Sequence, residues 1–263
     1  MNSIHLRGML WLVAAVVILT LITSSRSIRL AERDNPRNGS PAVPSAFYHA
    51  TNPDEAIAAL DDAIRVEPGR GELYNLRGET LEYLGRFDEA ARDFAQAARL
   101  DSGSPAAWHN LIALQDWTGS EDRGAAAATY EQHVVRAEPA NALYHRNLAR
   151  LLDAAGQTER AESEFRAAVN LAAGDSSYCL ELARYLQGHG PAGRTEALTL
   201  LQDALARNPA DRGTLSAALG ELAFTEQRYE LAARAYEEAY RARPMIAEYK
   251  RMADESQRRA RNR

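Results

Sequence analysis

The sequence predicts an all-α protein: a stack of antiparallel helix pairs behind one N-terminal apolar helix. Three observations lead there. Fifty of the 263 residues are alanine, against 16 glycines and 10 prolines, and small residues of high helix propensity suit closely packed helices. Many of those alanines recur at a spacing of ~34 residues, the mark of a repeat architecture. Near the start lies one long run without a charge.

Composition narrows the class further. With 46% hydrophobic and 25% charged residues, a formal charge of -5 and a mean hydropathy of -0.42, the chain is neither disordered, collagen-like nor a polytopic membrane protein. Cys179 is the single cysteine, so no intramolecular disulfide forms and it cannot by itself hold a structural zinc. The mild acidity argues against a general nucleic-acid binder.

After a tail at 1–7, residues 8–25 read GMLWLVAAVVILTLITSS. As a helix this run spans about 27 Å, enough for a thin bilayer core. Two readings fit. A signal peptide would use Arg7, the apolar stretch and the small residues Thr23 and Ser25. Arg26 directly after that site and the lack of an A-x-A pattern favour an uncleaved anchor. Arg26, Arg29, Arg33 and Arg37 after the run lean towards a cytoplasmic C-terminal domain by the positive-inside rule; a short N-tail with one arginine also suits an exported domain. Residues 26–52, with three prolines, read as a linker.

The repeat domain covers 53–246, as a half repeat at 53–68 and full repeats at 71–104, 105–139, 142–175, 176–209 and 213–246. An alanine at the twentieth position recurs as Ala56, Ala90, Ala126, Ala161, Ala197 and Ala232. Four residues on stands a large apolar group: Leu60, Phe94, Tyr130, Phe165, Leu201 or Tyr236. The small residue three further is Ala63, Ala97, Ala168, Ala204 or Ala239, with His133 and Val134 interrupting the series. The eighth position holds Gly78, Ala149, Ala183 and Gly220, with Ile112 as the exception. Small residues there let two helices approach closely, the large one fills the gap between one repeat and the next, and Pro68, Pro139, Pro209 and Pro244 stop the second helices. About two extra residues in EDRGAAAATYEQH and in QGHGPAGRTEAL lengthen the turn between helices. Residues 245–263 suit a polar capping helix.

This pattern, clearest in GELYNLRGETLEYLGRFDEAARDFAQAARLDSGS (71–104), resembles the tetratricopeptide repeat, a 34-residue helix–turn–helix unit. The resemblance implies a right-handed α-solenoid whose first helices line a concave groove through positions two, five, nine and twelve. Carried onto this sequence, those positions give partner-facing candidates Glu72, Asn75 and Glu79, then His109 and Asp116, Arg146 and Arg150, Arg184 and Gln187, and Glu221. The groove would be acidic at its start and basic around Arg146, Arg150 and Arg184, where paired N–H donors could hold a carboxylate or a peptide C-terminus. The other reading of these arginines is a solvated surface balanced by neighbouring carboxylates. Chaperone-binding members of the family carry lysine at position five and asparagine at nine of the first repeat; Asn75 and Glu79 stand there, which argues against that clamp.

Catalytic signatures are missing: there is no G-x-x-x-x-G-K-[ST], H-E-x-x-H, G-x-S-x-G or EF-hand loop. His109, His133 and His145 match no metal-ligand spacing. Trp108 and Tyr74 occupy repeat positions and read as packing, and Cys179 as a small buried hydrophobe; Trp117, beside a polar turn, is open. Arg258, Arg259, Arg261 and Arg263 suit a helix C-terminus. The expectation is a non-catalytic interaction scaffold without cofactor or metal, binding a protein or peptide and neither nucleic acid nor a small-molecule substrate. By analogy with anchored members of the family, it sits as a single-pass protein of a bacterial inner membrane and assists assembly of an envelope complex. The alternative is a signal-cleaved, soluble periplasmic or secreted subunit; an enzyme with an unrecognised site is a distant third reading.

Overall fold

The computed structural model describes residues 52–119, 122–207 and 210–262. The apolar run at 8–25 and nearly all of the linker lie outside the described residues, and no described helix is long and apolar enough to cross a membrane. Among the described residues there are twelve α-helices, one π-helical turn and no strand. The chain divides into two compact units, the first ending at Asp101 and the second running from Ser102.

The first unit holds α1 (Pro53–Val66), α2 (Gly71–Tyr83) and α3 (Phe87–Leu100). Asn52 caps α1 by accepting from the Glu55 amide at 2.9 Å, with Pro53 in the first turn, a favourable start for a helix. α2 packs against both neighbours and buries Leu73, Leu76 and Leu81, while α3 buries Ala90, Phe94, Ala97 and Ala98. The contact that sets their spacing lies at Gly78: a Cβ there would stand 2.6 Å from the Phe94 ring, which is fully buried. Arg77, next to it, ties the three helices together. Its Nε and Nη2 each donate to Asp93 at 2.7 Å and its Nη1 to Asp61 at 2.6 Å. The two carboxylates raise the guanidinium's pKa, against the opposing effect of burial.

The second unit runs α4 (Pro105–Thr118), α5 (Arg123–Tyr130), a π turn (Glu131–Val135), α6 (Ala142–Ala154), α7 (Thr158–Leu171), α8 (Ser176–Gln187), α9 (Gly190–Ala206), α10 (Arg212–Thr225), α11 (Tyr229–Ala242) and α12 (Ala247–Arg261). Each helix packs on the next, and one apolar core runs unbroken from Ile112 to Ala253. The Gly78 contact recurs here, since a Cβ on Gly220 would lie 2.9 Å from Cγ of Tyr236. The hairpin turns repeat as well. Arg86, Gln157 and Arg228 amides bond back to the carbonyls of Leu81, Leu152 and Ala223 at 2.8–2.9 Å. Each turn puts one residue in the left-handed region: Gly85, Gly156 and, without a glycine's freedom, Gln227 at φ 59°.

Two expectations need correction. The extra residues of QGHGPAGRTEAL do not lengthen the turn, because only Gly188 and His189 separate α8 from α9. They extend α9 at its N-terminus to 17 residues, where Gly193 lets the new turn pass against the Leu186 carbonyl. In the second repeat Ala127, not Ala126, is the fully buried alanine, with Ala126 only partly buried beside it. The π turn explains the interrupted series: it takes up a residue within the helix, and Val134 and Val135 enter the core where an alanine stands in the other repeats.

A further device appears at the fourth position of the first helix in the first three full repeats. Tyr74 Oη donates to the Pro68 carbonyl at 3.1 Å, Trp108 Nε1 to Ser102 at 3.1 Å, and His145 Nε2 lies 2.9 Å from the Pro139 carbonyl. Each ring thus ties its helix to the loop six residues earlier. The next two repeats carry Cys179 and Ser216 instead, both buried, and the Ser216 hydroxyl has no partner among the described residues.

Gly78→Ala is expected to destabilise the first unit. Overpacking costs about 1–3 kcal/mol and the gain in helix propensity of roughly 1 kcal/mol offsets only part of it, so the thermal midpoint should drop by a few degrees. Arg77→Met leaves Asp93, only 9% exposed at its side chain, without its cation. Breaking a fully buried pair costs ~3–5 kcal/mol, and because the arginine keeps 22% of its surface a loss of about 2 kcal/mol is expected in urea unfolding.

Candidate functional site

α6 and α8 carry the basic face the sequence points to. Asn141 caps α6, accepting from Leu143 N at 3.2 Å, and Asp175 caps α8, accepting from Ser177 N at 2.9 Å. Their apolar stripes bury Tyr144, Leu148 and Leu152 on α6 and Leu182, Ala183 and Leu186 on α8. That leaves Arg146, Arg150, Glu181 and Arg184 away from the core. Glu181 lies between the two helices' charges, its Oε2 3.6 Å from Arg146 Nε and its Oε1 4.0 Å from Arg150 Nε. Arg146 also sits over the Tyr178 ring at 5.5 Å, a cation–π contact that holds its guanidinium still. Arg150 keeps 63% of its side chain exposed. Arg184, one turn beyond Glu181, is exposed and makes no ion pair among the described residues. Two guanidiniums therefore share one carboxylate, and Arg184 adds an exposed cation on α8, so this face keeps positive charge to offer. Glu181 and Tyr178 are the members sequence reasoning missed. Both stand off the expected groove positions, and only the i,i+3 spacing of Glu181 from Arg184 hinted at the first.

His109 sits deeper than its groove position implies. Its Nδ1 lies 2.6 Å from the Tyr130 hydroxyl, which also receives Asn147 Nδ2 at 3.5 Å, and the Tyr144 ring is 5.4 Å away. Burial, reinforced by the Arg146 charge, pushes the imidazole pKa down to about 4, so His109 is neutral at pH 7. Burial likewise raises the Tyr130 phenol. This hydrogen-bonded group joins α4, α5 and α6 directly behind Arg146.

The remaining candidates are dispersed. In the first unit Glu72 accepts from Arg70 at 2.7 Å, and buried Asn75 donates to Glu79 at 2.9 Å. In the second, Asp116 lies 3.6 Å from Arg123 across the α4–α5 turn, Gln187 is half-buried at the end of α8, and Glu221 is exposed on α10. The three histidines have separate partners: His133 stacks on Trp108 at 4.3 Å, and His145 lies 2.6 Å from Glu164. No group of His, Cys, Asp and Glu among the described residues could hold a metal ion. Trp117 is 78% exposed. Of the C-terminal arginines, Arg258 and Arg259 both pair with Glu255, and Arg259 covers the Phe224 ring at 4.9 Å.

The tetratricopeptide repeat model matches residues 45–105, 119–177 and 180–244. The chain belongs to the tetratricopeptide repeat family. Of the described helices, α4 falls between the first two matched stretches and α12 after the last. Solved structures of similar fold include pilF of Pseudomonas aeruginosa, 16% identical with a TM-score of 0.58 over 80% of this chain and 92% of that one. Another is YrrB, whose structure is described as that of a TPR protein with an unusual peptide-binding site. It is 19% identical, with a TM-score of 0.55 over 77% of this chain and all of that one. MamA of Desulfovibrio magneticus RS-1 is 20% identical, with a TM-score of 0.53 over 69% and 95%. At these identities the likeness is one of fold.

The His109 pKa fixes the sign of a pH effect. Folding holds the imidazole below its ordinary value of 6.5, so the unfolded chain binds the extra proton first on acidification. The stability tied to neutral His109 is present above pH ~6.5 and is lost as pH falls towards 4. The urea midpoint of the native chain should therefore drop more between pH 7 and pH 4 than that of His109→Gln, which has no imidazole to protonate.

Proposed function

We propose that this chain is a non-catalytic interaction scaffold that binds a peptide or partner protein on the α6–α8 face. The observation that carries this reading is the pair Arg146 and Arg150 on the single carboxylate of Glu181, with Arg184 exposed one turn beyond it on α8. A partner carboxylate, from a C-terminus or an acidic side chain, would complete the charge balance and gain paired N–H donors. The peptide-binding site named for YrrB supports a peptide as occupant. The uncharged run at 8–25 supports a tether in a bacterial inner membrane, which would confine the encounter to the membrane surface and help assemble an envelope complex.

The test is a binding titration against a panel of peptides with free or amidated C-termini and acidic or neutral sequences. Binding should favour free, acidic ends, weaken with salt, and fall at least tenfold in Arg146→Glu/Arg150→Glu/Arg184→Glu. Equal binding by the triple variant would sink the basic-face reading. Intact mass checks the tether independently: loss of about 25 N-terminal residues would replace the anchored protein by a released one.

A further inference from the structure

The second unit contains a cleft of about 410 Å³, walled by the end of α7, the loop at 172–175, α8 and the C-terminal half of α9. Its origin lies in the repeat itself. At the fourth position Tyr74, Trp108 and His145 each direct a ring towards the loop before their helix, with the ring's polar atom at the carbonyl six residues earlier. In the fourth full repeat that position is Cys179, whose thiol reaches no further than 3.9 Å from the Leu200 carbonyl. The counterpart residue, Ala173, lines the cleft, and its carbonyl receives no side-chain donor among the described residues. Leu182, Leu200 and Ala204 supply apolar wall, and Arg207 stands at the rim, exposed and without an ion pair among the described residues. The space is within the range of small-ligand sites, ~300–1,000 Å³, and larger than a simple packing gap.

We propose that this cleft is a binding site for an aromatic ring with a hydrogen-bond donor at its tip, a phenol or an indole, which takes the place of the missing fourth-position ring. The ring lies between the loop and α9, its O–H or N–H donates to the Ala173 carbonyl, and Arg207 offers a cation to the ring's face. The chain's own repeats define this occupant, since they hold a phenol, an indole and an imidazole in the equivalent place. The site is separate from the α6–α8 arginines, so either reading can fail without the other.

Cys179 is the chain's sole cysteine and lies on the cleft wall, which makes it the reporter. Its alkylation by N-ethylmaleimide in the full-length chain should slow at least fivefold, and saturably, with millimolar p-cresol or indole, and not with toluene, which has no donor. The capped tripeptide Ala-Tyr-Ala as a second arm distinguishes the sources: protection by both means that a partner's tyrosine can enter, and protection by p-cresol alone points to a free aromatic compound. Cys179→Tyr should raise the thermal midpoint and abolish the p-cresol-dependent increase in midpoint seen with the native chain. Absence of saturable protection, equal protection by toluene, or an undiminished p-cresol effect in a folded Cys179→Tyr variant would each overturn the proposal. If that variant does not fold, the alkylation measurement on the native chain decides alone.

Discussion

Everything in this fold depends on how closely two helices of a hairpin can approach at one point. Phe94 and Tyr236 occupy the space that a side chain on Gly78 or Gly220 would take, and both rings are buried because that side chain is absent. Where the second helix brings Phe165 or Leu201, the partner position holds Ala149 or Ala183, each essentially fully buried. The volume is thus shared between the two positions, a large residue on one helix against almost nothing on the other. A hairpin made this way is thin and apolar on both broad sides, so it cannot stand alone in water. Stacking follows from that, and with it the continuous core of the second unit. α12 packs on α11 and buries Ala253 and Ser256.

The same constraint explains where the chain tolerates irregularity. Extra residues never enter the hairpin crossing; they appear at its margins. In the second repeat they fall in the turn before α5 and in the π turn after Tyr130, so that Tyr130 itself keeps its buried place. In the fourth they add a turn to the start of α9 and leave Ala197 and Leu201 where the crossing needs them. A π turn has a weaker hydrogen-bond pattern than an α-helix, and here two valines and the stacked pair of Trp108 and His133 support it.

The helix pairs were legible because the crossing imposes a steric demand that few residues meet. Gly78, Ala90 and Phe94 can be read as a unit from their spacing alone. The site was less legible for a physical reason. Surface positions on a solenoid carry no such demand, so spacing indicates which helix face a residue occupies but not which neighbour it meets. His109 was expected in the groove, and its contact with Tyr130 of α5 depends on the distance between α4 and α5, which spacing along the chain does not give. Glu181, which decides how much positive charge the α6–α8 face retains, sits one position away from the expected groove residue Leu180. Ala126 and Ala127 lie in a run of four alanines, and composition cannot distinguish between neighbours that are chemically identical.

Departures from a packing rule carry more information about ligands than polar residues at unconstrained positions do. An arginine on a solvated helix face is common and has many neutral explanations, so Arg146 and Arg150 gain meaning only from their geometry around Glu181. A cysteine where three sister repeats place a ring is different. The ring does two things, filling volume and supplying a donor to a loop carbonyl, and Cys179 does neither. Adding a buried ring there would contribute apolar burial of about 2 kcal/mol or more, so a stability argument alone favours the ring. The cleft beside Cys179 is lined by Ala173 of the loop and by Arg207, which makes no ion pair among the described residues, the two residues that an aromatic donor would use.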